Sequence, residues 1–483
     1  MNKSNQLSFS FDNSYKTLPS KLFEECLPTA VENPQLIVLN EGLAKELGLN
    51  FESVSNEEIA NFFSGNKILE GAQPIAQAYA GHQFGHFNML GDGRAILLGE
   101  HITPQNKRYD IQLKGSGETP YSRRGDGRAT LSSMLREYII SEAMHALKIP
   151  TTRSLAVVST GEEVYREYTH EGAVLTRVAA SHIRVGTFEF VRRFTDIETF
   201  KTFVNYTIKR HYPHLLNSEN HAVNFLQEVM LNQINLIVDW MRVGFIHGVM
   251  NTDNMSISGE SIDFGPCAFI NAYHPQTVFS SIDHQGRYAF ENQAAIAKWN
   301  LSRFAETLLV LIDNDQNKAV EIAQAVLNNF AEIFDEKWLQ MMRKKLGMLD
   351  EQEDDHKIIL ELLSWMQNNS ADYTNTFIAL QNKDLLKDNV YQEAAFVVWY
   401  SKWQKRIGNG NLEQSYQLMR ENNPFVIPRN HLVEMALFAA QQNDLSILNE
   451  LVSVISKPYD YQCDCKKFQI PGNDEGYKTF CGT

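Results

Sequence analysis

The chain has 483 residues, of which 43% are hydrophobic, and it carries 58 Asp and Glu against 44 Lys and Arg. The length allows two or three domains, or one enlarged bilobal unit. The net charge of −14 argues against general binding to a nucleic-acid backbone. No stretch approaches the roughly 20 apolar residues that span a bilayer, the N-terminus lacks a signal or transit pattern, and five cysteines do not make a disulfide framework. We therefore expect a soluble, cytoplasmic protein that binds neither nucleic acid nor membrane.

Residues 1–75 mix short helical patterns with Pro and Asn breaks, and we interpret them as an N-terminal extension. The next part, 76–196, combines strand-like runs with one helix. Apolar residues in 131–147 recur at helical spacing, and Pro150 ends the pattern. This part predicts a small mixed α/β lobe. Its strand-like runs are AILLG (95–99), YDIQLKG (109–115), LAVVS (155–159) and AVLTRVA (173–179).

Helical patterns dominate the second half of the chain. One apolar-faced helix is predicted over 224–244, with Gly244 as its C-cap. Helical spacing continues to about residue 455, and 456–483 is an irregular tail. We therefore predict an α+β, bilobal, protein-kinase-like fold, with a larger, mainly helical lobe over 197–455.

The segment HGVMNTDNMSISGESIDFG (247–265) follows the long predicted helix. Its His is followed seven residues later by Asn254, and the segment ends in Asp-Phe-Gly, the order of the metal-holding groups in protein kinases. Alternating apolar residues around Gly259 predict a tight hairpin, which would bring Asn254 and Asp263 to one end to hold Mg²⁺. Val249 stands where kinases carry their catalytic base. The alternative is a surface hairpin with ordinary polar turn residues.

A kinase-type site also needs a Lys on a strand and a Glu on the following helix. Lys114 ends one of the predicted strands, and Glu137 lies in the helix that follows. Glu142, on the same helix, is a competing partner. A strand-end Lys and a helical Glu are commonly just solvated surface residues, but their order before the metal-type segment favours a functional pair.

Glycine and arginine are concentrated before and after the predicted strand that ends at Lys114. The turn Gly91-Asp-Gly-Arg94 precedes it, without the third Gly of a kinase loop, and GSGETPYSRRGDGRAT (115–130) follows it. Residues 101–200 have a charge balance of +2, whereas the rest of the chain has −16. Backbone N–H groups in Gly-rich loops and the guanidinium forks of Arg both bind phosphate. Together with Arg177 and Arg184, these segments predict a cradle for an anionic ligand, although each Arg alone could be a surface residue.

Other possible ligands are less informative. His82 and His86 have helix-like spacing but no third ligand, so roles in the core or on the surface are favoured over zinc. Three cysteines near the C-terminus also make a poor metal site, and the last of them could be redox-active. These are Cys463, Cys465 and Cys481.

Four long motifs resemble the selenoprotein O (SelO) family of pseudokinases. They are YAGHQFGHFNMLGDGRA, DIQLKGSGETPYSRRGDGRATLSSMLREYIISEAMHAL, LTRVAASHIRVGTFE and HGVMNTDN…IDFGP. The similarity runs from about residue 8 to 270 and thins toward the C-terminus. The resemblance implies a kinase-like fold that binds ATP inverted relative to kinases, and an enzyme that transfers AMP to Ser, Thr or Tyr hydroxyls of proteins.

The resemblance also implies roles for individual residues. Asp253 would be the proton acceptor, Asn254 and Asp263 would hold Mg²⁺ or Mn²⁺, and Glu137 would support Lys114. Many members end in a Sec or Cys, and Cys481 fits that pattern; a regulatory disulfide between it and Cys267 is our hypothesis. The implied nucleotide contacts are Gly91, Gly93, Arg94, Lys114, Asp126, Gly127, Arg177, Arg184 and Asp263.

An inverted nucleotide would explain why Val249 replaces the kinase base. Pyrophosphate would be the leaving group, and its charge would account for the surplus of arginines. The acceptor would enter from a different direction, so that Asp253 could take its proton. UTP could serve in place of ATP. Two alternatives remain open at this point: an ordinary kinase-like phosphotransferase and a non-catalytic nucleotide-binding scaffold.

Overall fold

The computed structural model describes residues 9–382, 385–408 and 410–480. Twelve strands and fifteen α-helices lie within these residues. The strands are concentrated before residue 180, and helices dominate after it. The strands are β1 (Phe23–Glu25), β2 (Gln35–Leu39), β3 (Ile75–Gln77), β4 (Ala80–Gln83), β5 (His86–Met89), β6 (Ala95–Ile102), β7 (Arg108–Lys114), β8 (Ala129–Thr130), β9 (Arg153–Tyr165), β10 (Thr169–Ala179), β11 (Phe245–Ile246) and β12 (Ala268–Phe269).

The helices complete the two lobes. The predicted helix over 131–147 and the predicted helix over 224–244 are both confirmed, the second ending at Gly244 in the left-handed conformation (φ 75°). The helices are α1 (Glu41–Leu47), α2 (Asn56–Ser64), α3 (Leu131–Ala146), α4 (Val185–Phe194), α5 (Ile197–His211), α6 (His221–Val243), α7 (Gln293–Ile312), α8 (Gln316–Asn328), α9 (Phe330–Lys345), α10 (Asp355–Asn368), α11 (Tyr373–Ala379), α12 (Ala394–Gly408), α13 (Leu412–Asn422), α14 (Asn430–Gln441) and α15 (Ser446–Ile455). No helix of the described residues is long and apolar enough to cross a membrane.

The first lobe is built on one antiparallel sheet of eight strands. Its order is β1-β3-β6-β7-β10-β9-β2, and β8 pairs with β10. Successive side chains of a strand point to opposite faces, and both faces are apolar here. On β6, Leu97 packs with α3 and the second lobe, whereas Leu98 packs with α1 and α2. The sheet is therefore buried on both sides, and the four strand-like runs predicted from the sequence all belong to it.

The second lobe is a mainly helical body around α6. Helices α7 and α9 pack against α6, and the buried face of α6 includes Phe225, Ile234 and Trp240. The same apolar cluster extends from these residues to α3 in the first lobe. The predicted arrangement of a small mixed α/β lobe and a larger, mainly helical lobe is confirmed.

The predicted hairpin between Asn254 and Asp263 is wrong. Gly259 does form a turn (φ 79°), but the residues on either side of it pair with other parts of the chain rather than with each other. Ser256 bridges to Arg184, and Ser261 bridges to Thr151. The ends of the segment are joined instead by β11 and β12, which pair Phe245 with Phe269. The backbone groups of the segment thus connect the two lobes.

A buried ion cluster attaches α5 to the sheet. The Arg210 guanidinium lies 3.0 Å from a carboxylate oxygen of Glu100 and 2.6 Å from one of Asp110. These two acids face each other across β6 and β7. The Asp110 carboxylate also lies 3.0 Å from Nδ1 of His182. Since charges this deeply buried need partners, the cluster fixes the position of α5.

We expect Arg210→Met to lower the free energy of unfolding by about 3 kcal/mol, because it leaves two buried carboxylates short of a cation. Urea titration followed by tryptophan fluorescence measures the change. The control is Lys201→Met on the same helix, where the ion pair with Glu198 is exposed and removing it should change stability by no more than about 0.5 kcal/mol. Equal effects of the two substitutions would contradict a structural role for the cluster.

Candidate active site

A cleft of about 820 Å³ lies between the sheet and the segment 247–266. It is lined by all twelve residues for which the sequence predicted a role, although they come from distant parts of the chain. The structure therefore brings the predicted site together, while the role of each residue stays a prediction. These residues are Gly91, Gly93, Arg94, Lys114, Asp126, Gly127, Glu137, Arg177, Arg184, Asp253, Asn254 and Asp263.

Three cations meet one carboxylate at the centre of the cleft. Oδ1 of Asp263 lies 2.8 Å from Nζ of Lys114 and 2.6 Å from the Arg177 guanidinium, and Oδ2 lies 3.3 Å from that of Arg184. Burial alone would raise the pKa of Asp263, but the three cations outweigh it and hold that pKa well below its usual range. Asp263 is thus a carboxylate, and it adopts the left-handed backbone conformation (φ 65°) that directs it into the cluster.

Glu137 supplies the second negative charge of the cluster. Its carboxylate lies 2.6 Å from Nζ of Lys114 and 3.3 Å from the Arg177 guanidinium. The competing candidate, Glu142, instead binds Arg153 through two 2.7 Å hydrogen bonds. The structure therefore selects Glu137 as the partner of Lys114. Lys114, Arg177 and Arg184 thus face the two carboxylates that contact them directly, those of Glu137 and Asp263.

Gln112 holds the Arg177 guanidinium, Asp92 in turn holds Gln112, and the sequence analysis missed both roles. Gln112 accepts hydrogen bonds from Nε (3.2 Å) and Nη2 (2.7 Å) of Arg177, and its own amide donates to Asp92 (3.2 Å). Burial raises the pKa of Asp92 to about 6. Gln112 stands two residues before Lys114 on β7 and opposite Arg177 on β10. The period of two along a strand could have identified it, since it places Gln112 on the same face as Lys114.

The glycine turn 91–94 is covered by the segment 115–130. Gly91 has φ +120°, and a Cβ there would lie 2.7 Å from Cδ1 of Tyr121, so only glycine fits. Thr119 donates a 2.6 Å hydrogen bond to the Asp92 carbonyl, and Ser122 donates to the Gly93 carbonyl. These contacts hold the turn and the Arg-rich segment together at the entrance of the cleft.

Asp126 and Gly127 lie at the edge of the cleft. The Asp126 carboxylate is held by Arg166 at 2.7 and 3.0 Å, and that hydrogen bonding lowers its pKa. Gly127 has φ +63°, and a Cβ there would lie 2.6 Å from the amide nitrogen of Glu118. In this structure both residues therefore shape the loop. Both residues also line the cleft, and the nucleotide contacts expected of them stay predictions.

Asp253 lies in a short 3₁₀ turn (Thr252–Asn254), and its carbonyl accepts a 2.9 Å hydrogen bond from the Arg184 guanidinium. Its side chain is buried, and its Oδ1 has no hydrogen-bond partner among the described residues. Burial raises the pKa of Asp253 to about 6, although Arg184 opposes that shift. Val249, at the position of the kinase base, is buried and apolar. Asp253 is thus the carboxylate with proton-accepting capacity in this turn.

The oxygen atoms near this turn fit a hard divalent cation. Asn254 uses its amide nitrogen to donate to the Val249 carbonyl (3.1 Å), so a metal would be held by its amide oxygen. The carboxylate of Asp263 lines the same cleft. Two such oxygens, completed by phosphates and water, are what Mg²⁺ and Mn²⁺ accept. Among the described residues there is no cluster of three His, Cys, Asp or Glu that could hold a metal alone.

The weaker candidates have structural partners. His82 lies on β4, with Nδ1 2.5 Å from Oε1 of Glu189, and no zinc site forms around it within the described residues. Cys463 and Cys465 are joined to each other in a disulfide. The Cys267 thiol is fully buried, and burial raises its pKa to about 12. Cys481 lies outside the described residues, so its pairing with Cys267 stays a hypothesis.

Comparisons with known proteins identify the family of this chain. The family model described as protein adenylyltransferase SelO matches residues 5–456. A protein nucleotidyltransferase YdiU of Anoxybacillus flavithermus is 56% identical, with 99% of each chain covered. A protein of the same name from Pelagibacter ubique is 53% identical, and the match covers 99% of this chain and 100% of that protein. The one from Nitrosococcus oceani is also 53% identical, over 100% of this chain and 99% of its own.

One solved structure, the Toxoplasma gondii specific rhoptry antigen kinase domain, matches 64% of this chain and 91% of its own at 11% identity, and its TM-score of 0.24 is too low to support a conclusion. The family match covers most of the chain, and the relatives match over their full length. The chain therefore belongs to the protein adenylyltransferase SelO family of nucleotidyltransferases.

Proposed function

We propose that this protein transfers AMP from ATP to Ser, Thr or Tyr hydroxyls of other proteins and releases pyrophosphate. One observation carries the proposal: apolar Val249 occupies the position of the kinase base, while Asp253, a buried carboxylate with an unpartnered oxygen, lines the same cleft as the Lys114–Arg177–Arg184 cations. A site of this kind can take a proton at one side and hold a polyphosphate at the other. The family match and the names of the relatives support the same reaction.

The cations would bind the β- and γ-phosphates of an inverted nucleotide. Lys114, Arg177 and Arg184 are buried and held by carboxylates, so they are oriented before the ligand arrives. Preorganised charges of this kind stabilise a leaving group without a cost for reorganising solvent. Arg94, Gly91, Gly93, Asp126 and Gly127 line the approach to these cations and would complete the phosphate-binding surface.

The transfer step forms a bond between the acceptor oxygen and the α-phosphorus and breaks the bond from that phosphorus to the β-phosphate oxygen. The proton of the hydroxyl passes to the Asp253 carboxylate, and pyrophosphate leaves toward the arginines. Because burial raises the pKa of Asp253 to about 6, the carboxylate is a stronger base than an exposed Asp while still being ionised at neutral pH. A Mg²⁺ or Mn²⁺ ion held by Asn254 and Asp263 would neutralise charge on the phosphates.

Two alternatives use the same cleft. A kinase-like phosphotransferase would place the γ-phosphate, not the α-phosphate, at the acceptor, and a scaffold would bind the nucleotide without transfer. The unpartnered Asp253 oxygen favours transfer over scaffolding, since leaving a buried acceptor unpaired costs about 1–3 kcal/mol. UMP transfer from UTP would follow the same steps, because the chemistry concerns only the phosphates.

With ATP labelled in the α- or γ-phosphate and Mg²⁺ or Mn²⁺, we expect only the α label to enter protein, with an adduct of the mass of one AMP. Chelation of the metal, or the Asp263→Ala variant, should abolish labelling because the phosphates lose their metal. α-labelled UTP, tested in parallel, shows whether UMP is also transferred. Transfer of the γ label alone would establish a kinase, and binding without any label would establish a scaffold.

Asp253→Asn should reduce the rate of transfer at least about 100-fold, because a general base of this type contributes about 10²–10⁴-fold. The affinity for ATP should stay within about threefold, since the proposed phosphate contacts lie on other residues. Transfer rates and equilibrium binding of ATP are measured on the same preparation. Transfer at the normal rate would remove Asp253 as the base.

A further inference from the structure

The β-hairpin of β4 and β5, residues 80–89, lies outside the main sheet. Its two strands pair only with each other among the described strands, with Ala80 opposite Met89. The hairpin packs against α4 and against the Thr252–Asn254 turn. It therefore borders the part of the cleft in which Asp253 lies, and it ends two residues before the Gly91–Arg94 turn.

Two backbone amides of the hairpin hold the residues before Asp253. The His82 amide donates a 2.7 Å hydrogen bond to Oγ1 of Thr252, and the Phe84 amide donates a 3.1 Å hydrogen bond to Oδ1 of Asn251. Asn251 also accepts a 2.6 Å hydrogen bond from the Tyr288 hydroxyl, whose ring contacts that of Phe84. The chain leading to Asp253 is thus fixed from the hairpin side.

Glu189 on α4 links the hairpin and the turn. Its Oε2 accepts a 2.6 Å hydrogen bond from the Thr252 hydroxyl, and its Oε1 lies 2.5 Å from Nδ1 of His82. The Thr252 hydroxyl therefore donates a hydrogen bond to Glu189 and accepts one from the His82 amide. A hydroxyl engaged on both sides in a buried site has little freedom, so this network resists movement of the turn.

Gly81 makes the closest approach to Asp253. A Cβ at Gly81 would lie 2.8 Å from Cγ and 2.9 Å from Cβ of Asp253, a spacing that real contacts do not allow. Gly81 does not have a positive φ, so glycine is required here by space and not by backbone conformation. Gly186 on α4 faces the backbone of the same turn, since its Cβ would lie 3.3 Å from Cα of Asp253. The Asp253 side chain itself is confined by Gly81.

We propose that the hairpin is a positioning element for the acceptor-activating carboxylate: Gly81 confines Asp253, and the His82–Thr252–Glu189 network fixes the turn that carries it. The inference rests on the proposed function, in which Asp253 accepts the proton of the acceptor hydroxyl. Proton transfer needs donor and acceptor within hydrogen-bond reach, and a displacement of about 1 Å can cost about 10²-fold in rate. The hairpin would thus control the rate of transfer through the position of Asp253.

The first test is Gly81→Ala. We expect kcat for AMP transfer to fall about 100-fold because the methyl group displaces the Asp253 carboxylate, while the KM and Kd for ATP change less than about threefold. Gly408→Ala is the matched control: the same change at a glycine with an ordinary φ and no atom within 4 Å of its Cβ should leave kcat unchanged. An unchanged kcat in Gly81→Ala would overturn the proposal.

The second test removes only the hydroxyl of Thr252. It tests the positioning proposal even if Gly81→Ala does not fold. Thr252→Val should lower kcat about tenfold, and Thr252→Ser, which keeps the hydroxyl, should recover it to within about threefold. The matched control is Thr207→Val, which deletes an equally buried hydroxyl that donates to the Phe203 carbonyl in α5. If Thr252→Val lowers the Tm as Thr207→Val does but leaves kcat unchanged, the network is merely structural and the proposal fails.

Asp253→Asn, measured beside these variants, distinguishes failure of the hairpin proposal from failure of the proposed function. An inactive Asp253→Asn with active Gly81→Ala and Thr252→Val would refute the hairpin proposal and leave the proposed function intact. A fully active Asp253→Asn would refute the assignment of the base, and the positioning proposal would fall with it. Loss of transfer in all three, with retained ATP binding and rescue by Thr252→Ser, is the predicted result.

Discussion

The balance of charge around Asp263 is the constraint on which the rest of the structure depends. Lys114 comes from β7, Arg177 from β10 and Arg184 from the start of α4, and all three are buried. Burying such cations without carboxylates would cost several kcal/mol for each ion. Asp263, from the second lobe, therefore compensates the positive charge of the three cations in the first lobe. This contact fixes how the two lobes are placed around the cleft.

The same balance determines what the cleft can bind. With Glu137 included, the cluster keeps one more cation than carboxylate, and Gln112 fixes the Arg177 guanidinium from behind. An anionic ligand would thus meet cations that are already held in position. Asp253 is a carboxylate whose Oδ1 has no hydrogen-bond partner among the described residues, and its carbonyl accepts a 2.9 Å hydrogen bond from the Arg184 guanidinium. The cleft therefore combines cations suited to a polyphosphate with a carboxylate that can take a proton.

Sequence patterns predicted the parts of this architecture that depend on local periodicity. The four main strands, α3 and α6 follow from the spacing of apolar residues, and the order of Lys114 and Glu137 along the chain identified their pair. The hairpin predicted around Gly259 was wrong because Ser256 and Ser261 pair with distant residues, which no local pattern encodes. Glu189 and Gly81 were missed for the same reason: their roles arise from contacts across 63 and 172 positions of the chain, with Thr252 and Asp253 respectively.

The central claim is the orientation of the nucleotide, with its α-phosphate at Asp253 and its β- and γ-phosphates at the arginines. A crystal structure with Mg²⁺ and the ATP analogue that has a methylene group between the α- and β-phosphates tests it most directly. The account predicts the γ-phosphate within hydrogen-bond distance of Arg177 or Arg184 and the α-phosphate nearest to Asp253 and Asn254. A γ-phosphate facing Asp253, with the base of the nucleotide deep in the cleft, would contradict it.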